Sequence, residues 1–253
     1  MLCSSLSLSV EHAHAESFDL VPDRPGYADS TQSVAPRHWH IELGSSWSPE
    51  SDVQGGLLIR YGLPKGWELR LSSPTLTQPF AVETPIDPNP QDPALGVGGA
   101  SLGAKWAYRK RSFTASVITM VGIPVMGASA ALSPDALFSL SAQLDYPLND
   151  KISVGLVFKS ALLDETTPAV ESAYGEELGG LFGLVSSISW SEVDWSLYAQ
   201  SGAELVVDTL TPLVGVGGTL RVAHSAQLDL SVDAPLGPEE LTPRYGAGVT
   251  VGF

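Results

Sequence analysis

The side chains that could do chemistry here are charged, widely spaced and of both signs: Glu42, Arg60, Glu68, Arg70, Lys105, Asp145, Lys159, Arg221, Asp229 and Asp233. Each falls in a segment where apolar residues alternate with small or polar ones, and each sits on the polar parity. A single charge facing an enclosed protein interior is costly, so such residues must pair with one another or line water. If mutually paired, they fill the space they enclose. If partly free, they line a narrow aqueous path and bias which solutes pass; the spacing leaves both open.

Other chemistries fare less well. His38 and His40 point to one face of a strand and, with Glu42, have the residue types of a metal site. They are equally the polar inward residues that a hollow wall needs, and no metal is expected. The sequence has no complete dinucleotide-binding glycine pattern, phosphate loop, cysteine pair or nucleophile-elbow serine. Gly96-Val97-Gly98-Gly99 and Gly215-Val216-Gly217-Gly218 fall at strand positions, where glycine lets a wall curve or another segment approach. We therefore expect no catalytic residue, no enzyme activity and no cofactor.

The elements that position these charges follow from the alternation. Trp39, Ile41 and Leu43 alternate with His38, His40 and Glu42. Near the end, Tyr245, Ala247, Val249, Val251 and Phe253 alternate with Gly246, Gly248, Thr250 and Gly252. Candidate strands begin near Arg37, Val53, Trp67, Val97, Phe113, Asp135, Lys151, Leu178, Trp195, Pro212, Ala226 and Arg244. About ten residues is the length a tilted strand needs to cross a bilayer. No apolar run is long enough for a spanning helix, Pro124 interrupting the nearest one. The expected fold is all-β, a transmembrane antiparallel up-and-down β-barrel of about 12 strands. A soluble β-sandwich would also alternate.

Two features favour the membrane. Tyr61, Trp67, Trp106, Tyr108, Phe113, Tyr146, Trp190 and Trp195 all lie on the apolar parity beside short connections, as an aromatic girdle at a bilayer interface would. The short connections Leu63 to Gly66, Arg109 to Ser112, Pro147 to Asp150, Ser191 to Asp194 and Ala223 to Ser225 alternate with mostly longer ones. The longer ones are rich in carboxylates, Glu50, Asp52, Glu176, Glu177, Glu204, Glu239 and Glu240 among them, and lack Lys and Arg. Such loops could hold divalent cations shared with lipopolysaccharide, or simply form a solvated acidic surface. The net charge of -15, with only 13 Lys and Arg, argues against nucleic-acid binding. The chain ends in an aromatic on the apolar parity, Phe253, of the kind the barrel assembly machinery would recognise.

Before the first strand, residues 1–15 read as a truncated signal peptide ending at Ala13-His14-Ala15, with a disordered tail as the alternative. Residues 16–36 read as a periplasmic or lumen-plugging segment, and 37–253 as the barrel. Asp23-Arg24-Pro25-Gly26-Tyr27 with Ser30 resembles the N-terminal motif of an outer-membrane family catalogued with the phenol meta-cleavage pathway. Leu58-Ile59-Arg60-Tyr61-Gly62-Leu63 with Trp67-Glu68-Leu69-Arg70 is similar to its second hairpin, and Ser101-Leu102-Gly103-Ala104-Lys105-Trp106 to its fourth strand. Gly122-Ile123-Pro124 resembles the end of its fifth strand. Gly99-Ala100 and Val125-Met126 depart from its pattern. The resemblance implies a barrel in the outer membrane of a Gram-negative bacterium, acting as a channel or transporter for passive passage of small, aromatic or hydrophobic solutes. It also implies that Asp23 and Arg24 fold into the lumen, Arg24 pairing with Glu42 or Glu68. The alternative is a structural or adhesive barrel with a plugged lumen and acidic surface loops.

Overall fold

The computed structural model describes residues 20, 22–23, 29–48, 51–73, 76–78, 96–97, 99–123, 136–163, 180–206, 209–236 and 243–253. Alternating sequence becomes strand wherever one parity can face lipid and the other the interior. The strands are β1 (Trp39–Ser48), β2 (Ser51–Gly62), β3 (Trp67–Ser72), β4 (Ala100–Lys110), β5 (Phe113–Ile123) and β6 (Ala136–Pro147). They continue with β7 (Ile152–Leu163), β8 (Gly180–Ser191), β9 (Trp195–Val206), β10 (Thr209–Ala223), β11 (Ala226–Pro235) and β12 (Arg244–Gly252). Two short pieces extend this set. Gly96–Val97 carries on β4 in unbroken register, and Leu76–Gln78 carries on β3 after a one-residue shift against β2.

Every strand pairs antiparallel with its sequence neighbours, and β1 pairs with both β2 and β12, so the 12-stranded sheet closes and leaves no edge. The seam is fastened by Trp39 and Phe253, whose backbone groups exchange hydrogen bonds of 2.8 and 3.0 Å. The expected starts fall within a few residues of the observed ones. The differences have local causes: Arg37 adopts a left-handed backbone (φ 68°) and the His38 N–H donates to the Ala35 carbonyl, so a turn delays β1 to Trp39. Pro212, expected to begin a strand, lies inside β10. Glu204 and Asp52, expected in connections, belong to β9 and β2; most of the other acidic loop residues lie outside the described ones.

The wall is apolar outside and polar inside. Leu43, Leu69, Leu102, Leu184, Leu197 and Leu230 are each about half exposed or more. A soluble protein rarely shows so continuous an apolar surface, whereas a lipid-facing wall requires it. All eight expected girdle residues point outward at the short-turn end, where Trp106, Tyr108 and Phe113 form a chain of ring contacts about 6.0 Å apart, and Trp190 meets Trp195 at 6.1 Å. Trp39 joins them against Tyr61 at 4.5 Å, and at the opposite end Trp47 stacks on Tyr245 at 5.7 Å.

The first of the short turns shows how sharply the chain reverses. Lys65 and Gly66 both take positive φ, and a Cβ on Gly66 would lie 2.1 Å from the Ala107 carbonyl oxygen, so glycine is required there.

Candidate functional site

Twelve strands enclose more space than the wall's own side chains need fill; a barrel of about eight strands is the size that they fill on their own. The described part of the N-terminal segment occupies one side of that space. Leu20, Asp23 and Val34 are buried. The segment reaches the end of β2 beside Gly62, where any Cβ would fall 1.9 Å from the Ala35 carbonyl oxygen; the absence of a side chain makes that approach possible.

All ten inward charges of the sequence reading face the interior, but the structure divides them. Glu42 on β1, Arg60 on β2, Glu68 and Arg70 on β3 and Lys105 on β4 form one buried network. Arg60 is the hub: its Nη1 donates to Glu42 Oε1 at 2.7 Å, while Nε and Nη2 grip the two oxygens of Glu68, each at 2.8 Å. Such bidentate geometry is what makes a buried arginine tolerable.

The segment completes the network. Asp23 accepts from Arg70 Nη1, lies 3.3 Å from Arg60 Nη2, and is 3.3 and 3.4 Å from Lys105 Nζ. Its own N–H donates to Glu42 at 3.0 Å, the Val34 N–H donates to Glu68 at 2.9 Å, and Lys105 donates to the Ser30 carbonyl at 2.6 Å. Asp29 lies 3.6 Å from Arg70 and 3.4 Å from Lys159, and accepts from Gln143 at 3.2 Å. Among the described residues of the wall, Arg60, Arg70, Lys105 and Lys159 face Glu42 and Glu68 there, two positive charges in excess. Asp23 and Asp29 supply the two carboxylates that balance them. Burial opposes the charged form of Asp23, yet Arg60, Lys105 and Arg70 outweigh it and hold its carboxyl well below the usual range. Arg24, the other residue of the expected plug motif, lies outside the described residues.

Across the lumen the inner wall changes character. A cavity of about 340 Å³ lies between the segment and strands β6 to β11. Ser153, Ser187, Ser189, Ser191, Ser196 and Thr219 line it, with Tyr198 and Gln200 further along. Ser153 and Ser189 share a hydrogen bond of 2.8 Å across strands, as do Ser196 and Thr219. Asp145 is half-buried here with Ser153 as a partner. Asp233 accepts from Gln200, and Gly215 and Gly217 leave room beneath Asp233 and Tyr198, as the reading of their strand positions expected. Asp229 and Arg221 face inward on β11 and β10. A small apolar group, Val157, Val185 and Leu213, closes the wall beyond.

His40 is buried beside the network, while His38 Nδ1 sits 3.0 Å from the Pro36 carbonyl. The histidines and Glu42 thus do not converge, and no group of three metal-ligating side chains occurs among the described residues. Sequence reading missed Asp29, Gln143 and the whole serine wall. The serines were visible on the inward parity of β7 to β9, but a hydroxyl carries no charge and drew no attention.

No family model matches the chain, and no curated protein is similar to it in sequence. Solved structures are similar in shape. An outer-membrane channel from Pseudomonas putida F1 aligns with a TM-score of 0.61 at 14% identity, covering 91% of this chain and 99% of that one. The KdgM porin aligns at 0.59 and 12% identity over 85% and 99%, and the NanC porin at 0.57 and 8% over 83% and 98%. The fold is that of a bacterial outer-membrane channel barrel. At these identities the likeness extends to architecture, and the chemistry of the lumen must be argued from this chain's own residues.

Proposed function

We propose that the protein is a passive channel of the Gram-negative outer membrane for small solutes, and that Asp23 with its neighbours acts as a plug narrowing the lumen. The observation that carries this reading is the asymmetry of the interior: one half is filled by a neutralised ionic network, while the other retains a cavity of about 340 Å³. A closed barrel with an apolar exterior isolates that interior from lipid, so whatever crosses must move along it. Glu42, Arg60, Glu68, Arg70 and Lys105 then hold the plug, and Asp145, Lys159, Arg221, Asp229 and Asp233 border the path. Leu20 and Val157 give aromatic or hydrophobic solutes some apolar contact.

The density of the network favours a second reading, a plugged barrel whose working parts are its acidic loops. The two separate in a planar bilayer. Steady single-channel conductance, increased severalfold by Asp23→Asn with Asp29→Asn, supports the channel; insertion without conductance in either form supports the plugged barrel.

A further inference from the structure

The composition of the open half carries a statement about what passes through it. This inference rests on the channel reading and names its substrate class. Among the described residues, the lining of the cavity contains hydroxyls, amides and two carboxylates, Asp29 and Asp145, and neither Lys nor Arg. Lys159, the nearest inward cation, is already engaged by Asp29 at 3.4 Å. Further along strands β6 to β12, Asp145, Glu204, Asp229 and Asp233 face Arg221 and Arg244 on the inward parity. Four carboxylates against two cations leave two negative charges on this side. The positive excess of the opposite wall is balanced by Asp23 and Asp29.

We propose that the open half of the lumen is a permeation lane for small uncharged or cationic solutes that hydrogen-bond, and that it turns anions away. Serine hydroxyls both donate and accept, so they can replace the water shell of a hydroxylated or amide-bearing solute without favouring a charge. An anion entering the same lane meets no Lys or Arg among the described residues that line the cavity, and it meets Asp145 near the short-turn end. Ser187 lines the lane, its Oγ 2.5 Å from where a Cβ on Gly155 would lie, so a larger side chain at 187 must project into the path.

The test is the reversal potential of the full chain in a planar bilayer under a KCl gradient, joined to swelling of vesicles in xylitol and in sodium xylonate, which share one carbon skeleton. The lane predicts potassium preferred over chloride severalfold and xylitol admitted well ahead of xylonate. Asp145→Asn, which keeps shape and removes charge, should reduce the potassium preference. Ser187→Phe should cut conductance severalfold, while Ser186→Phe, on the lipid face one residue away, should leave it unchanged. An anion-preferring or non-selective channel, or equal effects of the two phenylalanines, overturns the lane while leaving the channel reading intact. Absence of any conductance overturns both.

Discussion

On β2 to β4 the inward side chains that meet the N-terminal segment are long and charged, and on β7 to β9 those lining the cavity are mostly short and hydroxylic. Arg60 touches three carboxylates from three different parts of the chain, whereas Ser189 and Ser196 each pair with a hydroxyl on the next strand. Long charged groups reach across the lumen and need a partner there, so they recruit the N-terminal segment. Short hydroxyls satisfy themselves along the wall and leave the space before them open. The same alternation thus builds a closed half and an open half, the difference lying only in side-chain reach and charge.

The sharpest way to break this contrast is at the hub. Arg60→Ala leaves Asp23, Glu42 and Glu68 together with one positive charge fewer among them; breaking a buried pair in this way costs about 3–5 kcal/mol. Urea unfolding in detergent micelles should show a loss of that order, with conductance rising as the segment loosens. Gly62→Ala attacks the contact from the other side. Its new methyl would meet backbone of Ala35 and Val34, so the segment must lift; overpacking of this kind costs about 1–3 kcal/mol, and the conductance should increase with the wall charges intact.

Acid should act late. Because the carboxyl of Asp23 is held below its ordinary value of 3.8, its contribution is full above that value and is lost only as pH falls through the lower value of the folded chain. Conductance and plug protection from protease should therefore stay constant from neutral pH down to about 4, the ordinary range for aspartate. A plug released between pH 6 and 5 would mean that the network does not hold it. The smallest effect is expected outside the lumen. Lys151 and Glu192 pair at 2.6 Å between exposed turns, and Lys151→Ala should change neither thermal stability nor conductance measurably.

Most of the fold was legible in the sequence because a membrane barrel writes itself in two-residue alternation. Tyr245, Ala247, Val249 and Val251 against Gly246, Gly248 and Thr250 have no other economical reading once Trp190 and Trp195 mark the interface. Which residues face inward was legible for the same reason. Which of them pair was not. Parity places Arg60 and Arg70 on one face but cannot say that Asp23, far away in sequence, returns to neutralise both. Nor could it separate Glu42, sealed in the network, from Asp145 beside the cavity. That division depends on where the N-terminal segment lies, and a segment without periodicity gives alternation nothing to read.

The most direct test of the two-sided lumen is chemical access from the aqueous phase. In a Cys3→Ser background, Ser187→Cys would stand on the open wall and Leu58→Cys on β2 behind the segment, where Leu58 is only 4% exposed. Each variant, reconstituted in vesicles, would be treated with a small cationic thiol reagent and its labelling rate followed. The account predicts rapid labelling at 187 with a matching fall in conductance, and protection at 58. Equal labelling at both positions, or labelling at 58 alone, would contradict it.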